Sequence, residues 1–91
     1  MRFRVFLHGK NAVIETDGQP QRLGFFTNRI VEASNKKDAE GQALALLESD
    51  EWLKDALLNL RDDPFVIEAE EIEEAAPREI QMTGFSWYPM K

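Results

Sequence analysis

The chain has 91 residues, enough for one domain with one modest core and too few for two. At 43% hydrophobic and 31% charged residues it lies outside the disordered range, and the absence of cysteine excludes disulfides, thiolate zinc sites and cysteine nucleophiles. The net charge of −6 argues against non-specific nucleic-acid binding by the whole surface.

In chain order, Met1, Phe3, Val5 and Leu7 alternate with Arg2, Arg4 and His8, with Phe6 among the latter, which predicts a strand with one buried face. Gly9-Lys10-Asn11 interrupts the alternation, and Ala12-Val13-Ile14 forms either a short continuation or a second small strand. Thr16-Asp17-Gly18-Gln19-Pro20 carries the punctuation of a turn. The longest strand signal runs from Leu23 to Ala33. Leu23, Phe25, Thr27, Arg29, Val31 and Ala33 share one face, and Gly24, Phe26, Asn28, Ile30 and Glu32 share the other. Neither face is wholly polar, which places this strand centrally, with Phe26 and Ile30 substantially buried.

Ser34-Asn35 supplies capping side chains, with Asp38 at the third helical position, and Ala39, Ala43, Leu46 and Leu47 follow at helical spacing. Glu48-Ser49-Asp50-Glu51 reads as a stop followed by a second cap. Trp52, Leu53, Ala56, Leu57 and Leu60 then form an apolar stripe expected to face the core, with Trp52 and Leu57 buried. Arg61-Asp62-Asp63-Pro64 ends the helical region. Phe65, Ile67 and Ala69 mark a third strand, and a bulge near Glu70-Glu71 is needed to return Ile72 to the core face. Ile80, Met82, Phe85 and Trp87 indicate a fourth strand from about residue 81 to 88, ended by Pro89. The expected architecture is one α+β domain over residues 1–91: a mostly antiparallel sheet of three to four strands with one or two helices on one face, in the order β-β-α(α)-β-β.

The segment Gly24-Phe25-Phe26-Thr27-Asn28-Arg29-Ile30-Val31-Glu32-Ala33, the capped Ala/Leu helix after it and Gly84-Phe85-Ser86-Trp87-Tyr88-Pro89 resemble a family of small bacterial proteins to which no activity is assigned. The shared motifs are hydrophobic patterns, so the resemblance implies a fold and carries over no catalytic residue.

Catalytic chemistry is hard to place. His8 is the sole histidine, no carboxylate stands beside it in sequence at ligand spacing, and no activated hydroxyl is evident. The run Glu68-Ala69-Glu70-Glu71-Ile72-Glu73-Glu74 lacks the pattern of a calcium loop and reads as a solvated strand face. No catalytic residue, cofactor or metal is expected, and the chain reads as a non-enzyme. Residues 1–37 hold seven Lys/Arg against three Asp/Glu, and residues 38–91 four against fourteen, so a basic front and an acidic back are expected to neutralise each other.

Two functional readings follow. The first is a protein-interaction or self-associating module presenting Phe26, Ile30, Phe85, Trp87 and Tyr88 to a protein partner or a second copy. The alternative is a nucleic-acid-binding or regulatory protein, prompted by Arg22-Leu23-Gly24-Phe25-Phe26, with Arg2, Arg4, Lys10, Arg22 and Arg29 as contacts. No apolar run approaches the ~20 residues of a membrane span, and Met1-Arg2-Phe3-Arg4 leads straight into alternation, so a cytoplasmic protein with no membrane partner is expected.

Overall fold

In the computed structural model, which describes residues 1–81 and 83–90, the elements are β1 (Arg2–Thr16), β2 (Gln19–Glu32), α1 (Lys36–Glu48), α2 (Glu51–Ala56), β3 (Val66–Glu74) and β4 (Ser86–Pro89). The four strands form one antiparallel sheet in the order β3-β1-β2-β4, and the fold is α+β with the element order β-β-α-α-β-β.

The two long strands are one hairpin. Asp17 and Gly18 both have positive φ, 52° and 83°, the backbone of a two-residue turn whose twist matches that of the flanking strands. Ala12-Val13-Ile14 continues β1 past an irregularity: Gly9 pairs with Phe25 and Ala12 with Leu23, so β1 holds one residue more than β2 between them. Asn11 absorbs the extra residue at φ 59°, a left-handed conformation that Asn tolerates better than most residues. The bulge moves the core side of β1 from odd to even positions, so Ala12 is fully buried and Ile14 packs against the core.

The second bulge lies where Ile72 requires it. Phe6 pairs with Glu71 and Leu7 with Ala69, which leaves Glu70 as the unpaired extra residue of β3. Ile67, Ala69 and Ile72 therefore all reach the core side, while Glu68, Glu71 and Glu73 lie opposite His8, Phe6 and Arg4.

Both helices cover one face. The Asn35 side chain accepts from the Asp38 amide at 2.8 Å and caps α1. Ala39, Ala43 and Leu47 are its buried residues, and the small ones let the helix approach the sheet closely. Asp50 caps α2 by accepting from the Leu53 amide at 2.9 Å. Below the helices, Phe3, Val5, Leu7, Phe25 and Val31 complete the core.

Three expectations are corrected. The helical stripe is shorter than its periodicity: α2 ends at Ala56, because the chain turns extended at Leu57, which bridges to Ile14, while the Leu58 amide donates to the Val13 carbonyl. Leu53 is the buried residue of this helix, Leu57 is half-buried, and Trp52 is 56% exposed. The fourth strand is also shorter, since pairing with β2 covers only Ser86–Pro89; Met82 lies outside the described residues.

The connection from β3 to β4 runs from one sheet edge to the other and crosses the face opposite the helices. Arg2 donates to the carbonyls of Ala76, Pro77 and Glu79 at 3.3, 3.0 and 2.7 Å, and Arg4 binds the Glu79 carboxylate at 2.7 Å. At the far edge the Gln81 side-chain carbonyl accepts from the Ile30 amide. The sheet face away from the helices is thus strapped at its Arg2/Arg4 end and open at its His8 end. The central placement of β2 follows, with Ile30 buried and Phe26 half-buried.

Candidate functional site

The open end of the strapped face gathers side chains that are far apart in sequence. β1 supplies Phe6 and His8, β2 supplies Phe26, β3 supplies Glu68 and Glu70, and β4 supplies Tyr88. The Phe26 ring stacks on Phe6 at 5.3 Å and on His8 at 4.3 Å between centroids, with Tyr88 at 5.7 Å. Gly24 makes room for Tyr88, since a Cβ at that position would overlap its ring.

His8 is held on both nitrogens. Nδ1 lies 2.9 Å from Glu70 Oε1 and 3.8 Å from Glu68 Oε1, and Nε2 contacts the Tyr88 hydroxyl. The imidazole is only 12% exposed, whereas the two carboxylates are nearly half exposed. Lys10 Nζ is 2.6 Å from Glu68 and holds that carboxyl below its usual range; Glu68 in turn raises the Lys10 ammonium. The expectation that His8 lacks a carboxylate neighbour is overturned by strand pairing, which sets Glu68 directly across from it. Both residues carried the signal of an outward strand position, but nothing in the sequence says that the third strand pairs with the first.

The cations proposed as nucleic-acid contacts are engaged within the fold. Arg2 and Arg4 hold the connection, with Arg4 also 2.5 Å from Glu73, and Lys10 holds Glu68. Arg22 binds Asn11 and lies 3.0 Å from Asp63, whose carboxyl is lowered first by the Asn11 amide, donating to it at 2.8 Å, and then by Arg22. Arg29 is corrected outright. Its side chain is 6% exposed on the helix side, where it donates to Thr27 Oγ1 at 2.8 Å and to the Asn28 carbonyl at 2.7 Å. Burial lowers its pKa, Asp50 at 3.8 Å partly compensates, and the guanidinium stacks over Phe85.

The proposed interaction residues divide between two faces. Phe26, Ile30 and Tyr88 belong to the strapped face. Trp87, opposite Phe25, lies on the helix side with Phe85, where both pack against the core. The helix side also exposes a surface that periodicity missed: Trp52 lies 5.8 Å from Phe85 and 6.0 Å from Trp87 between centroids. With Ile14, Leu23 and Trp87, Trp52 lines an open groove of about 510 Å³ at the hairpin end, completed by Thr16, Gln21, Tyr88 and Pro89. All eight lining residues are uncharged, in a chain where 31% of residues carry charge. Among the described residues no helix is long and apolar enough to cross a membrane.

Comparison with protein-family models, curated proteins and solved structures yields no match.

Proposed function

We propose that this protein acts by association, as a small non-catalytic module that buries the aromatic groove between the hairpin end, α2 and β4 against a second copy of itself. The observation that carries this reading is Trp52, a large aromatic side chain left 56% exposed beside Trp87 and Phe85. Exposed apolar patches mark interaction sites, and tryptophan is enriched among the residues that carry most of the binding energy when covered. The groove is uncharged, so two copies each carrying a charge of −6 meet there without facing like charges. Two-fold pairing is the commonest closed symmetry and brings the same patch to itself.

Sedimentation velocity across micromolar concentrations tests the reading. A dimer is expected for the wild type, and Trp52→Ala and Trp87→Ala should shift it to monomer. Trp52→Ala is the cleaner variant, because that side chain contributes little to the monomer's core. A wild type that stays monomeric defeats the proposal, and a dimer untouched by both substitutions moves the interface elsewhere.

The nucleic-acid reading is supported by the Phe6–Phe26–His8 stack, an aromatic surface on a sheet, as single-stranded ligands require. It is the weaker proposal, since its cations already hold carboxylates or carbonyls. Polarisation titrations with short RNA and DNA at two salt concentrations decide it, and no binding at low salt ends it.

A further inference from the structure

The cluster around His8 has a property that the association reading does not use. Three potential ligand atoms, His8 Nδ1 and one carboxylate oxygen each from Glu68 and Glu70, lie within 4.8 Å of one another. We propose that His8, Glu68 and Glu70 form a binding site for a divalent transition-metal ion of the zinc type, with Tyr88 orienting the imidazole from behind.

Geometry carries the first part of the argument. Zinc binds imidazole nitrogen and carboxylate oxygen at about 2.0–2.2 Å, which sets tetrahedral ligand atoms about 3.3–3.6 Å apart. Nδ1 lies 2.9 Å from Glu70 and 3.8 Å from Glu68, so small rotations of two half-exposed carboxylates complete the bite. Apart from Lys10, which must leave the Glu68 oxygen, nothing else needs to move, because the imidazole is already fixed. Phe26 stacks on its ring, and Nε2 meets the Tyr88 hydroxyl. A metal-bound histidine characteristically donates its second ring N–H to an oxygen, which settles the tautomer and raises ligand basicity. Tyr88 is that oxygen here, held close to the sheet by the absence of a side chain at Gly24.

Charge carries the second part. Lys10 pairs directly with Glu68, whereas among the described residues Glu70 makes its ion-pair contact with the imidazole and feels Lys10 only at longer range. Two carboxylates converge on one imidazole, a donor arrangement that suits a divalent cation. The mixed nitrogen and oxygen donor set, without thiolate, suits zinc and its first-row neighbours better than calcium or magnesium, which take oxygen ligands. Lys10 is the built-in competitor, since its ammonium occupies the same Glu68 oxygen that faces His8.

Zinc titration of the untagged protein, followed by calorimetry and by the imidazole nitrogen signals of its sole histidine, tests the proposal. The expected result is one zinc per chain, with Nδ1 of His8 shifting as the metal-bound nitrogen and Nε2 retaining its proton. Tyr88→Phe should weaken binding about tenfold or more. Glu70→Gln should weaken it further, and Lys10→Met should tighten it by removing the competing charge. A gain in Lys10→Met cannot arise from unfolding, and circular dichroism checks that Glu70→Gln is folded. Absence of saturable one-to-one binding at millimolar zinc overturns the site. So does binding that leaves the His8 nitrogens unmoved or that is indifferent to Glu70→Gln and Lys10→Met.

Discussion

The two faces of the sheet use the same strands for different physical ends. On the helix side, Phe3, Val5, Leu7, Phe25 and Val31 lie under Ala39, Ala43, Leu47 and Leu53, and apolar burial supplies the stability. On the other side, Arg2 and Arg4 strap the β3–β4 connection across the sheet, and Phe6, His8, Phe26 and Tyr88 stack at the uncovered end. That face is held by hydrogen bonds, ion pairs and ring contacts that remain half in water, each worth little singly. The lesson is a division of labour within a thin domain, in which one face keeps the chain folded and the other can place polar groups side by side. Substitutions that disturb one face should therefore differ in kind from those that disturb the other.

The largest effect belongs to Phe25, which is fully buried and meets Phe65, Phe85 and Trp87. Phe25→Ala should cost about 3–5 kcal/mol in denaturant melts, whereas Phe26→Ala, one residue along on the other face, should cost distinctly less. Equal losses would erase the distinction between the faces. Leu53 and Trp52 make the same comparison within α2. Leu53→Ala should cost about 2–4 kcal/mol and Trp52→Ala, compared at concentrations low enough to keep both chains monomeric, distinctly less, the reverse of what side-chain size implies.

Glycine substitutions sharpen it further. An added Cβ at Gly9 meets the Phe25 ring inside the core, and Gly9→Ala should cost about 1–3 kcal/mol. The same change at Gly24 meets Tyr88, which can swing toward solvent, so Gly24→Ala should cost less stability while breaking the Tyr88–His8 contact. The imidazole nitrogen signals of His8 report that break directly.

The smallest effect is the pH dependence of the strap. Arg4 lowers Glu79 by its hydrogen bond, and Glu73 is lowered first by Glu71 and then by Arg4. A carboxyl depressed in the folded state contributes stability above its unfolded pKa and loses it as pH falls through the folded one. Glu71 runs the other way: Glu73 raises it, so its contribution is present at acid pH and lost as pH rises. Glu71 and Glu73 are exposed and Glu79 is half-buried, and the two depressed groups outnumber the raised one. Thermal melts from about pH 6 to about pH 3 should show a modest loss of stability, and Arg4→Ala should flatten it. A wild-type slope unchanged in Arg4→Ala would show that the strap is not held electrostatically.

Much of this architecture was legible from the chain itself. The alternation of residues 1–8 and 23–33, the Asp-Gly turn and the caps at Asn35 and Asp50 are local signals, set by backbone sterics and by which side-chain oxygen can reach a free amide. Even the bulge at Glu70 could be read, because Ile72 must return to an apolar face and strand period leaves one way to do so. Trp52 misled because helical periodicity ranks positions by phase and does not register where a helix stops; α2 ends at Ala56 once Leu57 and Leu58 bond to β1. Residues one strand apart in space but some sixty apart in sequence, His8 and Glu68 or His8 and Glu70, were brought together solely by the pairing of β3 with β1. That pairing is a tertiary choice among sheet orders with nearly the same local propensities. Hydrophobic pattern says which side of a strand faces inward, and only the assembled sheet says which neighbour its outward side chains meet.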